Sequence, residues 1–218
     1  MAHPLRTSVS DLIEGLKSFE RDYITADSIS KFMDAHRLGV DELRPYTFFR
    51  EDYYTRNLIF RDDKFEVMCI CWKPGQRTVI HSHNGALGWM TVPQGEVAVH
   101  DYKYVSCDHP ERQNVVGIDC LAGGNEIHLD RTGSVHVLEG TPIYQVDKLH
   151  TIHQIENVDK SNVGVVSVHI YSPPIDSCVS YDLERHRCSR KTLQYYSRFG
   201  KVEVEAETTP DGKLKIIH

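Results

Sequence analysis

The sequence predicts an all-β fold, a small barrel or two-sheet roll with helices packed outside it at the amino terminus. Before Tyr53 apolar residues recur at helical spacing, whereas after it short runs rich in Val, Ile, Tyr and Thr alternate with turn clusters. Many short strands with frequent turns favour a closed barrel, because closure leaves few unpaired edges. The 218 residues, 40% of them hydrophobic, suffice for one domain with its own core.

The helical region is predicted to have three parts. A first amphipathic helix spans residues 8–23, a second spans 26–36, and a short helical turn covers 41–43. Hydroxyl residues at the start of the first helix can cap its free N–H groups. The inward positions of the two longer helices are Leu12, Ile13, Leu16, Phe19, Ile29, Phe32 and Met33.

The all-β body is predicted to begin near Tyr53 and to contain ten strands. A Pro210-Asp211-Gly212 turn suggests a further hairpin or tail near the carboxyl end. The chain therefore divides into a helical prologue (1–50), a barrel (51–200) and a hairpin or tail (201–218) within one structural domain. The ten predicted strands are 56–60, 65–72, 78–82, 88–93, 96–104, 117–121, 125–129, 135–138, 150–157 and 163–171.

Charge and composition exclude several classes of function. A net charge of -6 and a pI near 6.1, with Lys and Arg scattered along the chain, argue against nucleic-acid binding. No stretch approaches the roughly 18 apolar residues that span a bilayer, and the opening residues lack a secretory signal. Six cysteines without a C-x-x-C pair suggest reduced thiols. We expect a cytoplasmic monomer that binds neither membranes nor nucleic acid.

Three histidines are the candidate metal ligands. Residues two apart in a strand share a face, so His81 and His83 can aim at one point inside a barrel. With Gly75 before them and Gly95 after the next strand, they resemble the first cupin motif, and His153-Gln154-Ile155-Glu156-Asn157 resembles the second. The implied fold class is a cupin. The alternative is that these are ordinary core or surface histidines.

The pattern departs from most cupins in one respect. A glutamate usually follows the second histidine by four or five residues, but Leu87 and Gly88 stand there. Three neutral imidazoles without a carboxylate leave a divalent ion its full charge and open positions. Such an ion could bind a thiolate and dioxygen together.

Several longer motifs resemble the cysteine dioxygenase family. They are Tyr54-Thr55-Arg56-Asn57-Leu58, Cys71-Trp72, Ser167-Val168-His169-Ile170-Tyr171-Ser172-Pro173-Pro174 and Ser197-Arg198-Phe199-Gly200, together with the histidine motifs. The resemblance spans roughly residues 8–200 in the family's order. It implies a cupin barrel behind amino-terminal helices and one Fe(II) per chain. The implied substrates are a small thiol and O2, with L-cysteine oxidised to cysteine sulfinic acid.

The resemblance also assigns roles to single residues. His81, His83 and His153 become the iron ligands, and Arg56 the group that grips the substrate carboxylate. A planar guanidinium suits a bidentate carboxylate contact in a way that lysine does not. The alternative for Arg56 is a surface salt bridge. Tyr54 is expected to shape the carboxylate end of the pocket or simply to pack in its wall.

Ser167, His169 and Tyr171 alternate along one predicted strand, so they can form a hydrogen-bonded row. The resemblance places the tyrosine hydroxyl beside the iron, where it could orient substrate or manage a proton. Animal members of the family carry a cysteine that becomes cross-linked to this tyrosine. Gly88 occupies that position here, so no cross-link is expected. Cys178 is either a residue of the pocket mouth or a structural thiol.

The sequence is compatible with two other functions. A related thiol dioxygenase acts on 3-mercaptopropionate and typically has glutamine in place of the arginine, so Arg56 favours cysteine. A non-enzymatic cupin that senses or stores a ligand is the alternative from a different class. A purely structural metal site would be expected to close its coordination sphere with protein ligands, which three histidines alone do not do.

Overall fold

The computed structural model describes residues 7–83, 85–107, 126–148, 151–203, 205–208 and 214–217. Three α-helices come first: α1 (Val9–Lys17), α2 (Ala26–Ala35) and α3 (Val40–Leu43). Short 3₁₀ helices follow α1 at Arg21–Tyr23 and α3 at Arg44–Tyr46. The three predicted helical parts are therefore present.

Capping residues set the helix boundaries. Ser8 caps α1 through a reciprocal pair of hydrogen bonds with Asp11, and Thr25 with Ser28 does the same for α2. Helix α1 ends at Lys17, earlier than predicted, because the backbone N–H and side chain of Ser18 bond to carbonyls of its last turn. The residues that follow tighten into the first 3₁₀ helix.

The β body consists of two sheets and a separate hairpin. The strands are β1 (Thr55–Arg61), β2 (Glu66–Trp72), β3 (Ile80–Ser82), β4 (Leu87–Gln94), β5 (Glu96–Cys107), β6 (Ile127–Leu138), β7 (Tyr144–Val146), β8 (Ile152–Asn157), β9 (Val165–Ser172), β10 (Ser177–Asp182), β11 (Arg187–Thr192), β12 (Ser197–Arg198), β13 (Lys201–Val202), β14 (Glu205–Thr208) and β15 (Leu214–Ile217). The strand order is β13-β12-β1-β2-β9-β4-β7 in the first sheet and β11-β10-β3-β8-β5-β6 in the second, while β14 pairs with β15. Among these described strands all pairings but one are antiparallel; β12 runs parallel to β1, with Asn57 opposite Ser197.

Strand β2 shows how the layers are packed. Successive side chains of a strand point to opposite faces, and every residue of β2 is buried. Val67, Cys69 and Cys71 belong to the apolar cluster shared with Leu12, Leu16, Ile29 and other helix residues. Met68, Ile70 and Trp72 belong to the cluster shared with Val97, Val99 and Ile155 of the second sheet. The helices therefore cover the outside of the first sheet, and the second cluster lies between the sheets.

The structure confirms the predicted all-β class with outer amino-terminal helices and differs from the prediction in detail. The predicted strands 125–129 and 135–138 form one strand, β6, because β5 pairs along its length through bulges near Asp101 and Tyr104. Strands β7 and β10 to β13 were not predicted. The predicted strand 117–121 lies outside the described residues, and the division into three regions stays a prediction.

Two further expectations concern thiols and membranes. Cys69, Cys71, Cys178 and Cys188 are free thiols. Among the helices of the described ranges, none combines the length and the apolar character needed to cross a bilayer.

Candidate metal centre

The three predicted ligands meet between the sheets. His81 lies on β3 directly opposite His153 of β8, and His83 follows the end of β3 at Ser82. His83 thus reaches the site from just beyond the strand rather than within it. Candidate ligand nitrogens of the three side chains lie within 4.8 Å of one another, and within the described parts of the chain no carboxylate joins the group.

Burial keeps these imidazoles neutral. It lowers the pKa of His81 from 6.5 to about 4, with the positive charge of Arg56 acting in the same direction. The pKa values of His83 and His153 are also lowered, first by burial and then by neighbouring histidines. A neutral imidazole keeps a lone pair on one ring nitrogen, which is the form that binds a metal ion.

The arrangement of the nitrogens fits a metal ion. Nδ1 of His81 is 2.9 Å from the Val79 carbonyl, which can only accept, so the proton sits on Nδ1 and Nε2 carries the lone pair. This Nε2 lies 3.3 Å from Nε2 of His153. Two nitrogens bound to one ion at about 2.1 Å are about 3.0–3.4 Å apart at ordinary coordination angles. His83 also has a buried Nδ1 without a hydrogen-bond partner in the described residues.

The predicted row of Ser167, His169 and Tyr171 lies on β9 next to the histidines. Ser167 Oγ is 2.8 Å from His169 Nε2, and His169 Nδ1 is 3.4 Å from the Tyr171 hydroxyl. The Tyr171 ring stands at 88° to the His83 ring, with centroids 4.8 Å apart. Burial lowers the pKa of His169 to about 3 and raises the pKa of Tyr171, so both groups are neutral.

The contact with Trp72 determines which atoms of this row donate hydrogen bonds and which accept them. Its indole N–H donates to Ser167 Oγ at 2.9 Å. The serine hydroxyl then has two acceptors, His169 Nε2 at 2.8 Å and the Ile70 carbonyl at 3.5 Å, and the shorter contact is the stronger. With Nε2 accepting, neutral His169 carries its proton on Nδ1 and donates to the oxygen of Tyr171. The Tyr171 hydroxyl proton is left free for the pocket.

Arg56 lies on β1 with only 10% of its side chain exposed, and its guanidinium is held on one side by the protein. Nη1 donates to the Gln194 carbonyl at 3.1 Å, and Nη2 lies 3.5 Å from Oε1 of Glu66. Glu66 is fully buried and accepts from the Tyr195 hydroxyl at 2.7 Å and from the backbone N–H of Ile175 at 2.9 Å. These two hydrogen bonds to Glu66 do not involve Arg56.

One cavity of about 470 Å³ brings these groups together. Its walls include Arg56, His81, His83, His169 and Tyr171. Tyr54 and Cys178 also line it, and the remaining predicted ligand, His153, is buried at 1% exposure. The Tyr54 ring stacks on Trp72 at 4.6 Å, and burial raises the pKa values of both Tyr54 and Cys178.

Comparison with known protein families gives a match over most of the chain. Residues 4–184 match the family described as cysteine dioxygenase type I. The chain belongs to the cysteine dioxygenase family. This confirms the resemblance read from the sequence motifs, and with it the cupin fold.

Relatives of this cysteine dioxygenase family member span most of its length. Cysteine dioxygenase type 1 of Rattus norvegicus is 27% identical over 212 residues, covering 95% of this chain and 94% of that protein. The Homo sapiens protein of the same name is 26% identical over 195 residues and covers 88% of each chain.

The solved structures that match this chain share less of its sequence. A Klebsiella pneumoniae protein with a double-stranded beta-helix domain gives a TM-score of 0.42 at 16% identity, covering 74% of this chain and 93% of that one. The Cnp3 cupin domain of Schizosaccharomyces pombe gives 0.39 at 8% identity, covering 60% and 66%.

Gly88 of β4 lies directly opposite Tyr171 of β9. A Cβ atom there would lie 3.2 Å from Cε1 of Tyr171, 3.2 Å from Nδ1 of His83 and 2.9 Å from Cγ2 of Val146. The position faces the tyrosine ring, but glycine has no sulfur to bond with it. The absence of a cross-link at Tyr171 stays a prediction.

Sequence reasoning missed four polar residues around the site. Glu66 and Tyr195 hold Arg56 from behind, while Tyr144 and Asp101 lie beside His153. Glu66 had a visible signal, since it is a charged residue at the edge of an apolar run. The other three had none, because their partners are distant in sequence.

Proposed function

We propose that this protein is a non-haem Fe(II) dioxygenase that converts L-cysteine and O2 to cysteine sulfinic acid. The stoichiometry closes without a further reductant, because both oxygen atoms of O2 are added to the thiol sulfur. His81, His83 and His153 hold the iron, which when bound brings the thiol and dioxygen together and carries the electron changes. Membership of the cysteine dioxygenase family supports this activity.

The observation that carries the proposed class of substrate, a small thiol with a carboxylate, is the position of Arg56. It lines the same cavity as His81 and His83, and its positive charge contributes to the lowered pKa values of both. A small thiol held by these histidines therefore has a cation within electrostatic reach of its other end. A carboxylate satisfies that cation, and cysteine and 3-mercaptopropionate both carry one.

Tyr171 supplies the hydroxyl that acts on the bound reactants. The direction of the Trp72–Ser167–His169 chain leaves its proton pointing into the cavity, and burial keeps the phenol from ionising by raising its pKa. A fixed donor of this kind can orient an incoming oxygen atom or hand over a proton. Tyr54, with its pKa raised by burial, is a second neutral donor in the cavity wall.

The direct test is turnover by iron-loaded protein under air. Cysteine and 3-mercaptopropionate are supplied separately, and oxygen uptake and the sulfinate product are measured. We expect uptake with one sulfinate formed per O2, and a higher kcat/KM for cysteine. Absence of uptake with either thiol would favour the non-enzymatic cupin. Preference for 3-mercaptopropionate would reassign the substrate but leave the reaction class unchanged.

The cellular setting is part of the same proposal. With a net charge of -6, a small-molecule substrate and reduced thiols, the protein is proposed to act as a cytoplasmic monomer without nucleic-acid or membrane partners. Size-exclusion chromatography with light scattering of the purified chain tests the monomer directly.

A further inference from the structure

A second row of hydrogen-bonded side chains reaches His153 at Nδ1, whereas His81 contacts the same ring at Nε2. The hydroxyl of Tyr144 is 2.9 Å from Oδ1 of Asp101 and 3.3 Å from Nδ1 of His153. The Tyr144 ring lies nearly parallel to the His153 ring, at 20° with centroids 5.9 Å apart. These three side chains form what we call the Asp101 relay.

The relay is fixed by the backbone of both sheets. Asp101 of β5 lies directly opposite His153 of β8, so both side chains point into the space between the sheets. Tyr144 comes from β7 at the edge of the first sheet, where it pairs with Met90. The relay therefore joins an edge strand of the first sheet to the centre of the second.

The donors and acceptors give the relay one favourable direction. A carboxylate can only accept, so the Tyr144 hydroxyl donates to Asp101, a charge-assisted bond. The tyrosine oxygen is then left as an acceptor, and Nδ1 of His153 must supply the proton.

We propose that Asp101 and Tyr144 are positioning residues that hold His153 as the Nδ1–H tautomer, with the lone pair of Nε2 kept ready for a metal ion. The inference rests on the proposed metal-binding role of His153 and deepens it. Hydrogen bonds from a ligating histidine to a carboxylate or other acceptor fix the ring and its tautomer. In this chain a tyrosine is inserted between the two.

The relay opposes an alternative that the histidines would otherwise favour. Nε2 of His153 lies 3.3 Å from Nε2 of His81, which already carries a lone pair. Without a metal ion, the simplest way to satisfy this pair is a proton on Nε2 of His153, donated to His81. In that tautomer both Asp101 Oδ1 and His153 Nδ1 are acceptors, and the Tyr144 hydroxyl has one proton to donate. One of the two contacts would then bring two acceptors together without a proton between them. The relay thus keeps the lone pair of His153 Nε2 available, whereas the two histidines alone would favour a proton on that nitrogen.

The first test uses metal-free protein, so it does not depend on activity. Long-range proton–nitrogen NMR of histidine labelled with ¹⁵N distinguishes the two tautomers, and the signal missing in His153→Gln assigns the residue. We expect His153 as Nδ1–H in the wild type and a shift toward Nε2–H in Tyr144→Phe. Finding Nε2–H in the wild type, or no change in Tyr144→Phe, would overturn the inference.

The second test measures Fe(II) affinity without oxygen, by competition with a coloured chelator. Tyr144→Phe and Asp101→Asn should each weaken binding about 10- to 100-fold, the usual effect of removing such a partner. Tyr104→Phe is the matched control, because it removes a hydroxyl that contacts Tyr181 in the cluster of Ile80 and Ile152. These two isoleucines precede His81 and His153 in their strands, so their side chains point to the opposite face of the second sheet. The affinity of Tyr104→Phe should equal that of the wild type.

The outcomes separate this inference from the proposed activity. Wild-type affinity in folded Asp101→Asn and Tyr144→Phe would overturn the relay even if the protein oxidises cysteine. Weakened binding in both variants supports the relay even if no thiol is oxidised. If one of the two variants unfolds, the other still tests the inference, since Tyr144→Phe and Asp101→Asn change opposite ends of the same hydrogen bond.

Discussion

Replacing Arg56 with alanine tests the structural basis of substrate recognition most directly. The guanidinium lines the cavity, so its removal should weaken the use of thiols that carry a carboxylate. It should have much less effect on cysteamine, which keeps the thiol and amine of cysteine but lacks the carboxylate. The quantity to compare is therefore the ratio of kcat/KM for cysteine to that for cysteamine.

The size of the effect follows from the contacts of Arg56. Hydrogen bonds between charged groups contribute about 1.5–3 kcal/mol, and each 1.36 kcal/mol is a factor of ten, so the ratio should fall about 10- to 150-fold. The 3.5 Å contact with Glu66 is too long to occupy the guanidinium fully. Glu66 keeps its bonds from Tyr195 and Ile175 in the variant, so most of the protein should remain folded.

Arg61→Ala is the matched control for this experiment. Arg61 lies 3.8 Å from the same carboxylate of Glu66 and bonds to Tyr195, but it does not line the cavity. Its removal disturbs the same network from the other side. Equal losses of the cysteine to cysteamine ratio in Arg56→Ala and Arg61→Ala, or no loss in either, would refute direct carboxylate binding by Arg56.

Three further predictions follow from the site. Because burial lowers the pKa of His169 from 6.5 to about 3, the unfolded chain binds a proton between these pH values that the folded chain does not, and the free energy of unfolding falls as the pH drops below 6.5. His169→Gln should reduce this pH dependence by up to about 1.4 kcal/mol per pH unit, measured by urea denaturation. An unchanged pH dependence would contradict a neutral, buried His169. Gly88→Ala places a methyl group 2.9 Å from Val146 and should lower the free energy of unfolding by about 1–3 kcal/mol. Gly133→Ala, whose methyl group would have open space around it, should leave the free energy of unfolding nearly unchanged. Equal effects of the two substitutions would contradict steric crowding at position 88. Tyr171→Phe should lower kcat about 100-fold or more while Fe(II) affinity stays at the wild-type value, and a variant as active as the wild type would remove the hydroxyl from the chemistry.

The metal site could be predicted because its signals are local. His81 and His83 are two residues apart, His153 sits in a recognisable motif, and Ser167, His169 and Tyr171 follow the period of a single strand. Such patterns record which side chains share a face. They do not record which strand lies opposite, so the pairing of His81 with His153 emerges only from the structure.

The supporting residues could not be predicted because they act across long separations. Arg56 and Tyr195 approach Glu66 from opposite ends of the barrel sequence, and Tyr144 reaches Asp101 from another sheet. The β10–β11 hairpin was missed for a different reason. Its polar and apolar residues are mixed, and only the pairing of Val179 with Ser82 and Arg190 shows that it continues the second sheet.

The parallel pairing of β12 with β1 has a consequence for how the protein is made. Residues 193–196 complete the cavity wall, and the N–H of Tyr196 bonds to the carbonyl of Arg56 at 2.8 Å. The ribosome synthesises this wall after the strands that carry the three histidines, and contacts so distant in sequence form slowly. A chain that stops before residue 193 would therefore contain all three histidines and Arg56 but would lack this part of the cavity wall.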